Sequence, residues 1–254
     1  MRYQAGTESY FKMSVVEISN MTKLYKNGRG VRNLSININK GQVYGLLGPN
    51  GSGKTTTMKV MAGLVHADCG EVKIFGHNPA DDMENAMQNV GCLIEAPSFY
   101  LYLTAGQNLE IIRKLYQGIP KARIGHMLDQ VGLAANIDEK AEKFSLGMKQ
   151  RLGLAMTLLS DPELLILDEP CNGLDIEGMA DVRDLIQKQS EQGRTILISS
   201  HLAWEIEQVC THVAIIRDGA MLSTATVPEL LSEYGSVEGY YLNLVGRGSR
   251  KEIA

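Results

Sequence analysis

The stretch Gly48–Thr55, GPNGSGKT, decides how the rest of the chain reads. It fits the pattern G-x-x-x-x-G-K-[ST] without a mismatch. An apolar run, VYGLL (Val43–Leu47), leads into it, and a helical pattern from Lys54 to Leu64 leaves it. Strand, glycine-rich loop and helix in that order are the setting in which such a loop cradles phosphate. Gly48, Gly51 and Gly53 let the backbone curl and aim its N–H groups at phosphate oxygens. The helix N-terminus adds a positive partial charge. Lys54 is expected to reach β- and γ-phosphates, and Thr55 to offer its hydroxyl to Mg²⁺. Asn50, Ser52 and Thr56 complete the expected nucleotide-binding set around the loop.

A magnesium-binding acid at the end of a buried strand should accompany such a loop. ELLILD (Glu163–Asp168) supplies it: Asp168 ends the apolar run and Glu169 follows. Asp168 suits Mg²⁺, directly or through water. Glu169 suits polarisation of an attacking water, a contribution of about 10²–10⁴ in rate. ELLILD and TILISS (Thr195–Ser200) look like parallel strands buried on both faces, and HVAIIRDG (His212–Gly219) like a hairpin strand. Toward the start, VVEIS and LSININ are short β-like runs separated by the turn-rich NGRG. Between Thr104 and Leu159 the pattern turns helical, with breaks at Gly118-Ile119-Pro120 and Gly132-Leu133. The chain therefore reads as an α/β core interrupted by a mostly helical lobe.

The bulk numbers bound this reading. A chain of 254 residues suits one large domain, and 44% apolar with 21% charged residues is ordinary globular composition. A net charge of −4 argues against nucleic acid as the partner, since such binders are more often basic. Cys69, Cys92, Cys171 and Cys210 are scattered and form no CxxC pair, which argues against a zinc site or a disulfide framework and suits a reducing cytosol. No apolar run approaches the roughly 18–20 residues of a membrane helix. Residues 1–12 read as a flexible leader without a signal-peptide core, 13–245 as one domain with its helical lobe at about 96–160, and 246–254 as a loose tail.

GCLIEAPSFY (Gly91–Tyr100) raises a separate question, because a short apolar segment there runs into a carboxylate, Glu95. A lone buried charge is costly unless it is paired or meets a metal. Glu95 either ends a strand in solvent or faces a cation, and the residue by itself does not decide which.

Asn39-Lys40 lies ahead of the phosphate loop and lacks the Asp of a guanine-binding N-K-x-D motif, which argues against a GTPase. FSLGMKQR (Phe144–Arg151) precedes a helical pattern and then LLILDEP. With it the chain resembles the ATP-binding subunits of ABC transporters, from about Val15 to about Val245. Tyr25 stands where that family places an aromatic that stacks on adenine. GPNGSGKT matches its Walker A loop, FSLGMKQR its signature LSGGQ-x-QR, LLILDE its Walker B strand, NGLD ending at Asp175 its D-loop, and His201 its switch histidine. Ser145 and Gly147 of the signature are kept and can meet a γ-phosphate from a helix N-terminus. Leu146 replaces the first glycine, Met148 replaces the glutamine, and Cys171 stands where Thr or Ser is usual after DEP.

The resemblance implies an ABC-type P-loop NTPase: a RecA-like core, an N-terminal antiparallel β subdomain and an inserted α-helical subdomain. It implies ATP and Mg²⁺ as ligands, with Glu169 and His201 positioning the attacking water. It implies a head-to-tail dimer, in which ATP held by Lys54 of one copy is covered by Ser145 and Gly147 of the other. Separate membrane permease subunits would complete the transporter and hold the chain at the cytoplasmic face of the membrane, and Phe99, Tyr100, Leu101 and Tyr102 would either dock them or pack the lobe. Glu95 occupies the position of the family's Q-loop glutamine, where a carboxylate can meet the metal and make the active state more Mg²⁺-dependent. LIEAPSFYLYLTAGQNL, FSLGMKQRLGLA and EPCNGLD look like the branch serving bacitracin resistance and lantibiotic self-immunity, whose members commonly carry Glu there. The pattern also fits the ATPase of a general ABC-2-type drug exporter. A soluble ABC ATPase of ribosomes or DNA fits less well, since the chain has one cassette, no heptad run and no basic stretch.

Overall fold

A computed structural model of the chain describes residues 14–249; the leader read at 1–12 lies outside them. β1 (Ser14–Leu24) and β2 (Gly30–Asn39) pair antiparallel, with Val16, Ile18, Leu34, Ile36 and Ile38 turned inward. β3 (Val43–Leu47) is buried along its length and opens into the phosphate loop and α1 (Lys54–Met61). β4 (Cys69–Ile74) returns to the free edge of β1, giving the sheet order β2-β1-β4. This strand was not expected from sequence. Cys69, Gly70 and Glu71 are exposed and only Val72 and Ile74 are buried, which leaves little alternation to read.

After α2 (Met83–Met87) and β5 (Val90–Leu93) the chain enters the helical lobe: α3 (Ala105–Leu115), α4 (Ala122–Gln130) and α5 (Leu146–Leu158). α3 starts at a reciprocal cap in which Thr104 accepts from Gln107 N–H and Gln107 accepts from Thr104 N–H. Leu109, Leu128, Leu133 and Leu152 bring the three helices around one buried cluster. β6 (Leu164–Asp168), α6 (Ile176–Glu191), β7 (Thr195–Ser200), α7 (Ala203–Val209), β8 (His212–Arg217) and β9 (Ala220–Thr226) complete the core. α8 (Val227–Tyr234) and α9 (Val237–Ser249) follow. The backbone stays helical to Ser249, so the segment read as a loose tail from 246 begins inside α9, and 250–254 lie outside the described residues.

The second sheet runs β5-β6-β7-β3-β8-β9, all parallel except the antiparallel β9. Its side chains divide with period two. Leu164 and Ile166 join the core shared with the antiparallel sheet and α1, while Leu165 and Leu167 join the core shared with the lobe, α6 and α7. Both faces are covered, as the continuous apolar runs required. Asp168 lies opposite Ser199 and Leu47 opposite Ser200, so the carboxyl ends of β6, β7 and β3 open side by side. Ligands of such sheets sit outside those ends. Among the described residues, no helix is long and apolar enough to cross a membrane.

Candidate active site

Gly48 and Gly53 of the phosphate loop are required by close approach. A Cβ on Gly48 would fall 2.0 Å from the Ile216 carbonyl oxygen, and one on Gly53, at φ +110°, would fall 2.3 Å from Val31 Cγ1. The turn tucks Ser52 inside, where its hydroxyl is buried without a partner. An orphaned donor in the floor of a phosphate loop fits an anion. Lys54 is 5% exposed, and its ammonium donates to Gly48 O at 2.7 Å and Pro49 O at 3.3 Å. It also faces Glu169 Oε1 at 3.1 Å, an ion pair without good hydrogen-bond alignment. Gly51 and Asn50 lie exposed at the rim, and Thr56 is half-buried behind Thr55.

Two linked chains of contacts cross from this loop to the ends of β6 and β7. In one, Thr55 Oγ1 donates to Asp168 Oδ2 at 2.8 Å, and Ser199 Oγ donates to Asp168 Oδ1 at 2.5 Å. In the other, Lys54 faces Glu169, whose Oε2 lies 2.8 Å from His201 Nδ1. Glu169 holds φ +47° and its N–H donates to Ser199 Oγ at 2.9 Å, so one serine braces both acids. Strain of this kind, about 1–3 kcal/mol, is found where a side chain must be aimed. Thr55 and Asp168 offer the small oxygen set that Mg²⁺ takes beside nucleotide phosphates. Next to them Ser200 hydrogen-bonds Glu205, whose carboxyl burial pushes up in pKa against that bond.

Lys54, Thr55, Asp168, Glu169 and His201 are therefore brought together beside the loop residues Gly48–Gly53, while Tyr25, Glu95, Ser145, Gly147 and Asp175 are not linked into this network. Tyr25 is 39% exposed in the turn after β1, open to stacking. Ser145 caps α5, accepting from Met148 N–H at 3.2 Å, and Asp175 caps α6, accepting from Gly178 N–H at 2.8 Å. Both side chains thus bond within their own helix ends, and Gly147 is half-buried, where a Cβ would come 3.5 Å from Leu174 Cδ2. Leu146 is 59% exposed and lies over Gly173, where a Cβ would come 2.7 Å from its Cδ2. Cys171 is half-buried against the core, its thiol pushed up to about 12 chiefly by burial.

Glu95 follows β5 at φ +62° and is 62% exposed. Its carboxylate pairs with Lys59 at 2.6 Å and is not drawn into the Thr55–Asp168 contact. Past it, Phe99 packs on the core while Tyr100, Leu101 and Tyr102 point outward at 51%, 50% and 64% exposure. Buried Asn108 braces this loop, accepting from Tyr100 N–H at 2.8 Å and donating to Tyr100 O at 3.0 Å.

Sequence reasoning passed over Ser199 and Lys59. A hydroxyl pair ending the apolar TILISS was the available signal for Ser199. Lys59 falls four residues after Thr55, on the same helix face, which was readable once Glu95 was in doubt.

A family model described as ABC transporter matches residues 31–172. The bacitracin transport ATP-binding protein BcrA of Enterococcus faecalis is 42% identical over 217 residues, 85% of this chain and 70% of that protein. The lantibiotic transport ATP-binding protein SrtF of Streptococcus pyogenes is 39% identical over 209 residues, 82% of this chain and 89% of that protein. A solved structure of the ATP-binding subunit of an ABC transporter superposes with a TM-score of 0.81 at 26% identity, covering 91% of this chain and 99% of that one.

Proposed function

The chain belongs to the ABC transporter family as an ATP-binding subunit, and from that premise we propose that it hydrolyses ATP to power export of a peptide antibiotic. The observation that carries the ATPase reading is the junction of Lys54, Glu169 and His201, at 3.1 and 2.8 Å, beside Thr55–Asp168 at 2.8 Å. The peptide-antibiotic part is supported by the bacitracin and lantibiotic transport relatives. Glu in place of a Q-loop glutamine supports the same branch.

In this reading the loop N–H groups and the Lys54 ammonium bind the phosphates of ATP. Phosphate oxygens replace the two carbonyls that now accept from Lys54. Thr55 and Asp168 would hold Mg²⁺, which neutralises charge developing on the phosphates. Glu169, freed from Lys54, orients the attacking water and accepts its proton, with His201 holding the carboxylate in place. Glu95 stands at the end of β5 as a further carboxylate for the metal.

Ser145, Gly147 and Asp175 act on the nucleotide of a second copy, arranged head to tail. Ser145 and Asp175 are exposed, and the side-chain bonds they make cap their own helices, which supports that arrangement. ATP stabilises the closed dimer by mass action, and hydrolysis removes that stabilisation. Tyr100, Leu101 and Tyr102, held outward on a loop braced by Asn108, form the surface that docks a separate permease. That docking places the chain at the cytoplasmic face of the membrane.

The test is susceptibility of strains with and without the gene, permease partners intact, against several lantibiotics, bacitracin and two unrelated drugs. Selective loss of tolerance to one peptide class is the expected result. No change, or a uniform change across the panel, overturns the peptide reading and leaves a general exporter ATPase.

A further inference from the structure

We propose that Lys59 is the resting counterion of Glu95, a positioning residue whose exchangeable ion pair sets how strongly nucleotide binding depends on Mg²⁺. This rests on the proposed role of Glu95 toward the metal. Two observations carry it. First, Lys59 stands four residues after Thr55, so the helix that begins at the phosphate seat also carries the cation that holds Glu95. Second, the pair joins two elements at 2.6 Å, and Glu95 enters it at φ +62°, a backbone state that non-glycine residues adopt at a cost.

The charges explain why such a pair is useful. A free carboxylate beside the phosphate seat repels ATP when no metal is present. Paired with Lys59, Glu95 presents no net charge to the phosphates. With Mg²⁺ at Thr55 and Asp168, the balance tips and Glu95 has a better partner than Lys59. The bridge is suited to exchange, because Glu95 is 62% and Lys59 25% exposed, and ion pairs of that exposure contribute little to stability.

Equilibrium ATP binding to the full chain, with saturating Mg²⁺ and with EDTA, tests this without turnover. The readout is the ratio of the two affinities. Lys59→Gln is expected to raise that ratio roughly two- to fivefold, mainly by weakening binding in EDTA. Lys59→Arg, which keeps the charge, is expected to hold the wild-type ratio. Glu95→Gln is expected to lower the ratio, and Lys59→Gln added to it to change nothing more. If Glu95→Gln shifts the ratio but Lys59→Gln does not, the counterion role fails and the role of Glu95 stands. If the Lys59→Gln shift persists on the Glu95→Gln background, Lys59 acts on the nucleotide directly and the proposal fails. If Glu95→Gln leaves the ratio unmoved, the metal role of Glu95 fails and the counterion role with it.

Discussion

The ends of β3, β6 and β7 and the N-termini of α5 and α6, the two halves of the proposed site, are built in opposite ways. In the first region the side chains proposed for catalysis are buried or half-buried, with His201 at the rim, and already wired. Lys54 and Asp168 are each 5% exposed, and Thr55, Ser199, Glu169 and His201 connect them through contacts of 2.5 to 3.1 Å. In the second region Ser145 and Leu146 are exposed, and Ser145 and Asp175 bond only within their own caps. A desolvated, charged network can orient water within one chain. A pair of open helix ends has nothing to act on until something is laid against it. The contrast explains why a single chain holds all the acids it needs and still has half a site to offer.

Glu169→Gln separates the regions most sharply. It removes the base from the wired half, and steady-state phosphate release should fall about 10²- to 10⁴-fold. ATP binding should survive, since Lys54 keeps its carbonyl partners and gains freedom to meet phosphate. Turnover within tenfold of wild type would place the base elsewhere. Ser145→Ala probes the open half, with the smaller expected loss of one charge-stabilising contact, about 10² in rate. Binding of ATP to one chain should be unchanged. Loss of binding in that variant would show that both halves serve the same nucleotide, contrary to the dimer reading.

The wired half was also the legible half. GPNGSGKT and LLILDE announce themselves because phosphate chemistry demands fixed residue types at fixed places along continuous apolar strands, while His201 is legible only through the family resemblance. What escaped notice depends on register between distant segments. Ser199 braces Asp168 and Glu169 only because β6 and β7 pair with Asp168 opposite Ser199. Lys59 meets Glu95 only because α1 passes the end of β5. β4 was missed because half of it faces water. In the open half the sequence showed that Leu146 replaces a glycine, but not that it rests on another glycine, Gly173.

That last contact sharpens the comparison at lower energy. Gly173 has φ +74°, and an added Cβ would meet Leu146 Cδ2 at 2.7 Å. Gly173→Ala should destabilise the chain by about 1–2 kcal/mol, chiefly from backbone strain, with a smaller crowding part because the exposed tip of Leu146 can shift. Adding Leu146→Gly should recover the crowding part only. Denaturant unfolding of the four members of this cycle measures it. Strict additivity would mean that the α5 and α6 ends are independent, and that the open half is two sites that happen to lie close together.

The smallest expected effect concerns how the lobe that carries α5 is tied to the wired core. Asp161, just beyond α5, accepts from Arg194 at 2.6 Å, ahead of β7, and from Arg123 at 2.8 Å, in α4. The hydrogen bond from Arg194 holds the Asp161 carboxyl below its usual range, burial opposes it, and Arg123 adds to the lowering. A depressed carboxylate stabilises the fold above the ordinary value of 3.8, and that contribution is lost as pH falls through the folded value. Asp161 is 62% exposed, so solvent screening limits the contribution to about 1 kcal/mol or less. Asp161→Asn should therefore lower stability slightly at neutral pH, and its unfolding midpoint should converge with that of the wild type in acid. A gap that stays constant down to pH values well below 3.8 would assign the effect to packing at the end of α5 instead of to the carboxylate charge. This tie between the lobe and the core would then rest on packing instead of on the Asp161 charge, leaving the Arg151–Asp181 pair at 3.3 Å as a charged link between α5 and α6.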